Sequence, residues 1–278
     1  MLLRAACFMS APLSSNASGG KPAVLITGAS RGIGAALADE FARHGHDLIL
    51  VARSREELDA LAACLAKRDG IRTTVMVADL TLEYASQELF DAVQGEGLEV
   101  DVLVNNAGFG NWGDFAETDL QTDVELLEVN MTALTKLTKL FLRPMVERNR
   151  GRIVNVASTG AFQPGPHMAT YYASKAYVLS FSEAIAEELR GTGITVTCLC
   201  PGATRTAFME QAGMGRLRLF RFGMMTSDAV ARVGYRGAMR GKKIVIPGMS
   251  NRLGAFAVPF APRGFVTRLV GWLMDRQR

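Results

Sequence analysis

Short apolar runs alternate with longer amphipathic stretches along most of the chain. Seven runs have the length of buried strands, and they lie at residues 23–27, 47–52, 73–78, 100–105, 152–157, 194–200 and 243–247. Apolar residues recur at helical spacing between them, notably at residues 32–44, 55–67, 124–147 and 170–190. This alternation predicts an α/β protein with a doubly wound parallel sheet of about seven strands and helices on both faces. Ligands of such folds bind at the carboxyl ends of the strands.

The organisation of the chain predicts one domain with an extension at each end. No Pro/Ser-rich linker interrupts residues 21–250, which suffice for one large core. Residues 1–20 are rich in Ser, Ala and Gly and predict a disordered extension, with a signal or transit peptide as the alternative. Residues 251–278 predict a basic amphipathic extension. Three partners are open for its apolar stripe: a membrane surface, the domain itself or a second subunit. The stripe comprises Phe265, Val266, Leu269, Val270, Leu273 and Met274.

Positive charge is concentrated in the C-terminal quarter of the chain. The net charge is +4, yet residues 205–278 hold 14 Lys and Arg against 3 Asp and Glu. Such a region attracts an anionic substrate, a carrier protein or an acidic membrane surface, although a solvated basic surface is the simpler interpretation. No run reaches the roughly 18 apolar residues that a membrane span needs.

Cysteine and histidine give no support for metal catalysis. The histidines make no zinc pattern, and no metal site is predicted. The cysteines are scattered without metal-ligand spacing, which suits a reducing compartment. A cytoplasmic protein is therefore predicted, with organelle targeting or peripheral membrane association as the alternatives, and no nucleic-acid partner is indicated. The residues concerned are His44, His46, His167, Cys7, Cys64, Cys198 and Cys200.

A glycine-rich turn follows the first predicted strand and opens the first predicted helix. Glycines there allow a tight turn and a close approach to phosphate, while the helix N-terminus supplies N–H groups for a pyrophosphate. The spacing Gly-x-x-x-Gly-x-Gly departs from the commoner Gly-x-Gly-x-x-Gly. The cofactor-binding candidates in this turn are Gly28, Ser30, Arg31, Gly32, Ile33 and Gly34.

The end of the second predicted strand favours NADP over NAD. No Asp or Glu stands where an acidic side chain would accept the ribose hydroxyl of NAD. Arg53 and Arg31 instead offer cations for a 2′-phosphate, unless either side chain points to solvent. Asp79 ends the third strand, where its carboxylate is predicted to accept from the adenine amino group; a helix N-cap is the alternative.

Tyr171 and Lys175 lie four residues apart in a predicted helix, which places a phenol and an ammonium on one face. A neighbouring cation favours the phenolate and so lowers the pKa of a phenol. A large shift needs a second positive charge, which an oxidised nicotinamide would provide. Taken alone, such a pair also arises by chance on a solvated helix face.

These features together resemble the short-chain dehydrogenase/reductase family over residues 21–250. The resemblance rests on the glycine turn, the Tyr171/Lys175 pair and three further motifs in matching order. Those motifs are Asn105-Asn106-Ala107-Gly108, Ser158 and Pro201-Gly202. The resemblance implies a Rossmann-type catalytic domain that binds NADP(H). Further cofactor-binding positions implied are Asn106, Ala107, Gly108, Tyr171, Lys175, Pro201, Gly202, Thr204 and Thr206.

The family resemblance also implies the catalytic roles. Tyr171 is similar to the catalytic acid/base, and Lys175 to the lysine that lowers its pKa and binds the nicotinamide ribose. Ser158 resembles the serine that hydrogen-bonds the substrate oxygen. Asn130 resembles the helix asparagine that holds a water for proton relay. From the residues alone, Asn130, Ser158 and Thr206 are equally compatible with ordinary capping.

The predicted activity is hydride transfer between a nicotinamide and a carbonyl or alcohol carbon. Large apolar residues indicate a hydrophobic substrate such as a ketone, an aldehyde, a 3-oxoacyl group or a steroid, with a lid at residues 205–240. Packing of the lid or of a subunit interface is the alternative use of those residues. They are Phe109, Trp112, Phe115, Phe162, Met168, Phe208, Met209, Met214, Leu217, Phe220, Phe222, Met224 and Met225. A homo-oligomer is expected, and a non-catalytic NADP-binding sensor or scaffold is the competing function.

Overall fold

The structure is a computed structural model that describes residues 22–206, 208, 212, 214 and 217–275. The predicted extension at residues 1–20 and the candidate Met209 lie outside the described residues. Nine strands are described. They are β1 (Ala23–Thr27), β2 (Asp47–Ala52), β3 (Thr73–Val77), β4 (Val100–Asn105), β5 (Gly151–Val156), β6 (Ile194–Leu199), β7 (Thr204–Arg205), β8 (Met225–Thr226) and β9 (Ile244–Val245).

Seven of these strands form one parallel sheet in the order β3-β2-β1-β4-β5-β6-β9. The chain leaves β1 toward one edge and returns through β4 toward the other, which confirms the predicted doubly wound α/β fold. The strand predicted at residues 243–247 is only two residues long. β7 and β8 pair separately beside the sheet.

Helices and helical turns connect the strands. The α-helices are α1 (Gly32–Arg43), α2 (Arg55–Asp69), α3 (Ala85–Gly95), α4 (Leu120–Leu127), α5 (Leu134–Glu147), α6 (Ala169–Glu188), α7 (Ser227–Met239), α8 (Met249–Ala257) and α9 (Arg263–Met274). A π-helical segment, Glu128–Ala133, joins α4 to α5, so the single helix predicted at residues 124–147 begins earlier and is interrupted. Short 3₁₀ turns lie at Thr159–Phe162, Arg218–Phe222 and Val258–Phe260.

The core covers both faces of the sheet because successive strand residues point to opposite sides. Val24 and Ile26 of β1 pack with Phe41 of α1 on one face. Leu25 packs with Phe141 of α5 on the other. Burial on both faces explains why the strands are continuous apolar runs without alternation.

The C-terminal helix packs against the domain, and it buries one part of the predicted apolar stripe while the other part stays exposed. Val266, Val270 and Met274 of α9 are buried in a cluster that includes Tyr172 and Leu217. The indole Nε1 of Trp112 also donates a hydrogen bond to the Met274 carbonyl oxygen at 3.1 Å. The neighbouring residues Phe265 and Leu269 stay exposed. No helix among the described residues is both long and apolar enough to cross a bilayer.

Candidate active site

A cleft of about 630 Å³ runs along the carboxyl ends of the strands. It begins at the glycine turn after β1 and ends beside Ser158, Tyr171 and Lys175. Every cofactor-binding candidate named from the sequence lines this cleft except Gly34. Among the catalytic candidates, Asn130 lies behind the lining. The fold thus brings residues separated by more than a hundred positions into one cavity, as the parallel sheet requires.

The glycine turn is shaped by its contact with the loop after β4. Gly28 has a φ of +64°, which a residue with a side chain rarely adopts, and a Cβ there would lie 2.9 Å from the Ala107 Cα. At Gly34, a Cβ would lie 2.1 Å from the Gly28 carbonyl oxygen. Gly34 therefore permits close packing of α1 on the turn and does not itself face the cleft.

Asn106 anchors this turn with its side chain. Its Nδ2 donates to the carbonyl oxygens of Thr27 at 2.9 Å and Gly28 at 3.1 Å. The backbone N–H groups of Asn106 and Ala107 both donate to the Thr27 hydroxyl at 3.0 Å. Asn106 therefore shapes the cofactor cradle with its amide, a role that the sequence motif does not distinguish from direct contact.

Cations and short polar groups line the cleft at the end of β2. The guanidinium of Arg31 forms an ion pair with Glu57 at 2.7 Å, which offsets part of its charge. Arg53 is exposed and makes no ion pair within the described part of the chain. Ser54, which sequence reasoning missed, also lines the cleft, and its hydroxyl does not cap α2. Arg53 is therefore the stronger 2′-phosphate candidate.

Asp79 lies at the cleft but is engaged in a local turn. Its Oδ1 accepts hydrogen bonds from the Thr81 backbone N–H at 3.1 Å and the Thr81 hydroxyl at 2.9 Å. These hydrogen bonds are not those of a regular helix N-cap. They also occupy Oδ1 of Asp79 within the protein, so that oxygen is not directed at a ligand. The adjoining Leu80 and Thr81 also line the cleft.

Tyr171 and Lys175 share one face of α6, as their spacing predicts. The Lys175 Nζ lies 5.7 Å from the centre of the Tyr171 ring and donates to the Val156 carbonyl oxygen at 3.0 Å. Lys175 is only 5% exposed. The β5 backbone therefore fixes a buried cation next to the phenol.

Burial controls the protonation of both groups. Desolvation raises the pKa of Tyr171 to about 12, and a hydrogen bond with Ser158 opposes this rise. Desolvation also lowers the pKa of Lys175 to about 8. Among the protein groups, burial therefore has the largest effect on the tyrosine pKa, and the implied role of Lys175 in lowering that pKa stays a prediction. A lower pKa requires additional positive charge beside the ring.

Tyr172 is the neighbouring phenol, and the structure separates its role from that of Tyr171. Its hydroxyl contacts the Met274 sulfur at 3.6 Å, and burial raises its pKa above the ordinary value. It therefore helps to dock α9. Lys175 is one helical turn from Tyr171 and faces that ring instead.

Ser158 lies immediately beyond β5 and caps the 3₁₀ turn that follows. Its Oγ accepts a hydrogen bond from the Gly160 backbone N–H at 3.0 Å. This contact leaves the hydroxyl proton available for another acceptor. Capping and a role in the site are thus compatible at this residue.

Asn130 links the site to its supporting elements from within the π-helical segment. Its Oδ1 accepts from the Phe109 backbone N–H at 3.2 Å, and its Nδ2 donates to the Phe109 carbonyl oxygen at 3.1 Å and the Ser174 hydroxyl at 3.0 Å. Both polar groups of its side chain are therefore engaged in holding the loop after β4 against α6. Relay of a proton through Asn130 stays a prediction.

The end of the cleft away from the glycine turn, next to Ser158 and Tyr171, is apolar. It is lined by Phe109, Met168, Tyr172, Phe208, Met214, Leu219 and Phe220. Of these, Tyr172 and Leu219 were not among the sequence candidates for this region. Their exposure to the cleft depends on α6 and on the turn at Arg218–Phe222, which periodicity does not predict.

Several other apolar candidates lie elsewhere. Phe115 is 71% exposed at the surface, and Trp112 packs toward α9. Leu217 is buried beneath the cleft, and Met225 packs on the core under α7. Trp112, Leu217 and Met225 therefore fit the packing alternative that the sequence left open, because proximity in sequence to a site does not set the direction of a side chain.

The buried charge of Lys175 gives a stability prediction. The ammonium is disfavoured by burial, so the folded protein is destabilised below a pH of about 8 and this effect disappears above the ordinary lysine pKa of 10.5. We expect Lys175→Met to raise the free energy of unfolding at pH 7 by about 1–2 kcal/mol, less than the shift alone implies because the Val156 carbonyl loses its donor.

Urea unfolding at pH 7 and at pH 10.5 measures this effect. The advantage of Lys175→Met should shrink at the higher pH. Lys67→Met, at an exposed position of α2, is the matched control and should change stability little at either pH. A variant less stable than the wild type at pH 7 would contradict an unfavourable buried charge.

Comparisons with known proteins agree with this geometry. The short chain dehydrogenase family model matches residues 22–216. The 17-beta-hydroxysteroid dehydrogenase type 3 of Mus musculus is 38% identical over 187 residues, which cover 66% of this chain and 60% of the relative. The very-long-chain 3-oxoacyl-CoA reductase of Anas platyrhynchos is 35% identical over 184 residues, covering 64% of this chain and 58% of the relative. The chain therefore spans about three fifths of the length of these curated relatives.

A solved structure is similar over most of the fold. It is a short-chain dehydrogenase from Sphingobium yanoikuyae in complex with NADPH, with a TM-score of 0.77 and 35% identity, covering 86% of this chain and 94% of that chain. The family match includes the glycine turn, Asn130, Ser158, Tyr171 and Lys175. On this evidence the chain belongs to the short-chain dehydrogenase/reductase family.

Proposed function

We propose that this protein is an NADP(H)-dependent oxidoreductase that interconverts a carbonyl and an alcohol on a hydrophobic substrate. The observation that carries the proposal is one continuous cleft with a glycine turn at one end and Ser158, Tyr171 and Lys175 beside its apolar end. Gly28 and Gly34 fit a dinucleotide cradle, because a side chain at either position would collide with the turn or its supporting loop. When bound, the nicotinamide supplies or accepts the hydride.

The protein groups have separable tasks in this reaction. Ser158 donates a hydrogen bond to the substrate oxygen, which stabilises negative charge as it develops there. With a pKa raised to about 12, Tyr171 is protonated at neutral pH and can donate its proton to that oxygen during reduction. Lys175 holds a positive charge beneath the ring and is positioned by the Val156 carbonyl oxygen.

The proposed preference for NADP(H) is supported by the end of β2. Arg53 provides an exposed cation at the cleft, and no carboxylate occupies the position that would repel a 2′-phosphate. The similar Sphingobium structure is a complex with NADPH. A charge-assisted contact from Arg53 would discriminate NADPH from NADH.

The proposed substrate class follows from the apolar end of the cleft. Met168, Met214 and Leu219 offer adaptable apolar contacts, and the described residues at this end of the cleft add no further charged group that would fix an anionic substrate. The names of the two relatives refer to a hydroxysteroid and to a very-long-chain 3-oxoacyl-CoA. A bulky ketone, either steroid-like or on an acyl chain, is the class that fits this lining.

A carbonyl panel tests the proposal directly. The full chain would be assayed for consumption of NADPH and, in parallel, of NADH with steroid ketones, 3-oxoacyl thioesters, bulky aromatic ketones and small polar aldehydes. We expect turnover of bulky apolar carbonyls with NADPH. Tight NADPH binding without turnover of any carbonyl would favour the sensor or scaffold alternative. The homo-oligomer stays a prediction, which light scattering can measure.

A further inference from the structure

The last two described helices carry an exposed apolar surface that the proposed reaction does not use. Seven large apolar side chains in this segment are between 44% and 76% exposed. We call them the C-terminal apolar surface. They are Met249, Leu253, Phe256, Phe260, Phe265, Leu269 and Trp272.

The exposed residues follow helical spacing in both helices. Met249, Leu253 and Phe256 are four and three residues apart in α8, so they lie on one face. Phe265, Leu269 and Trp272 repeat the same spacing in α9. A different stripe of α9, formed by Val266, Val270 and Met274, already packs on the domain. The exposed face is thus a second apolar face in addition to the one that the fold buries.

Aromatic contacts occur in both parts of this surface, at the end of α8 and on α9. The rings of Phe256 and Phe260 lie 5.3 Å apart. The guanidinium of Arg218 lies 5.1 Å from the centre of the Trp272 ring, on the side toward the lid. Large aromatic rings at an exposed position are typical of protein segments at the boundary between lipid and water.

Positive charge predominates in the segment that carries this surface, and the carboxylate at the end of α9, Asp275, is paired with Arg218 at 3.1 Å. Residues 229–274 contain eight Lys and Arg and no Asp or Glu. Arg252, Arg263 and Arg268 are exposed within the two helices. A second copy of the chain that presented the same face would be repelled by these positive charges. Anionic lipid headgroups would be attracted by them, and the lipid chains would accept the apolar side chains.

We propose that the C-terminal apolar surface docks on an anionic lipid bilayer. The seven apolar side chains enter the boundary between headgroups and acyl chains, and Arg252, Arg263 and Arg268 contact the headgroups. In this arrangement α8 and α9 lie in the plane of the interface. The proposal does not depend on the chemistry in the cleft. The buried stripe of α9 keeps the helix attached to the domain while the exposed stripe contacts lipid.

Vesicle flotation of the full chain tests the proposal. We expect the protein to float with vesicles of phosphatidylcholine and phosphatidylserine and to float much less with phosphatidylcholine alone. Raising the salt to about 1 M should release it, because the screening length falls to about 3 Å. Absence of flotation with the anionic vesicles would overturn the proposal.

Two variants separate the apolar and the electrostatic contributions. Phe256→Ser with Phe260→Ser should weaken vesicle binding about tenfold or more by removing inserted rings. Replacing Arg252, Arg263 and Arg268 by Gln should weaken binding to anionic vesicles by about fivefold per arginine and leave the fold intact. If the serine variant does not fold, the glutamine variant still decides the question.

The matched control changes two exposed rings elsewhere. Tyr84 and Phe115 are 67% and 71% exposed, similar to Phe256 and Phe260, and Tyr84→Ser with Phe115→Ser should float like the wild type. Equal flotation of all variants would overturn the proposal. So would a wild-type dimer that Phe256→Ser with Phe260→Ser converts to a monomer, since a second copy would then occupy the surface.

Discussion

Replacing Tyr171 by Phe is expected to reduce turnover by about 10²–10⁴-fold, while NADPH binding stays close to that of the wild type. The change removes one hydroxyl and keeps the ring that packs against Phe208. Ser158 can still bind the substrate oxygen, but no group at that position delivers the proton. The loss should therefore fall on kcat more than on KM.

Steady-state kinetics and a direct NADPH titration measure the two parts of this result. Tyr177→Phe is the matched control on the same helix, because its hydroxyl contacts the Thr135 hydroxyl at 2.8 Å and lies outside the cleft. It should retain most of the turnover. Near-normal turnover of Tyr171→Phe would remove this tyrosine from the proposed proton transfer and leave the cofactor cleft unaffected.

Replacing Arg53 by Ala should raise the KM for NADPH by about 10–100-fold and leave the KM for NADH nearly unchanged. The 2′-phosphate is the only group in which the two cofactors differ, and Arg53 is an exposed cation at the cleft that makes no ion pair among the described residues. Arg31→Ala should have a smaller effect, because Arg31 is already paired with Glu57.

Parallel kinetics with both cofactors isolate the contribution of the phosphate. Arg43→Ala is the control for loss of a surface charge, since Arg43 pairs with Asp39 at 2.8 Å away from the cleft. It should change neither KM appreciably. Equal increases for NADPH and NADH in Arg53→Ala would mean that the arginine supports the shape of the site and does not recognise the phosphate.

The architecture was predictable because a parallel sheet leaves a strong signal in sequence. Strands buried on both faces must be apolar throughout, and the helices between them must carry one apolar face. The short β9 carried a weaker signal, since two paired residues need little apolar sequence. The π-helical interruption at Asn130 was not predictable, because it depends on hydrogen bonds to Phe109 and Ser174 from distant parts of the chain.

The chemistry of the site was only partly predictable. Spacing correctly placed Tyr171 and Lys175 on one helix face, since four residues make about one turn. The same spacing did not reveal that burial raises the tyrosine pKa and lowers the lysine pKa. Desolvation depends on all the neighbours of a group, and those neighbours come from several elements.

By itself, the sequence determined the alternation of strands and helices, the glycine turn and the placement of Tyr171 and Lys175 on one helix face, because each depends on residues close together in the chain. Only the tertiary structure decided which apolar side chains face the cleft, which arginine keeps an unpaired charge and which stripe of α9 is buried. Those outcomes depend on contacts between distant segments. Local periodicity gives the same pattern for a residue that lines a pocket and for one that meets solvent.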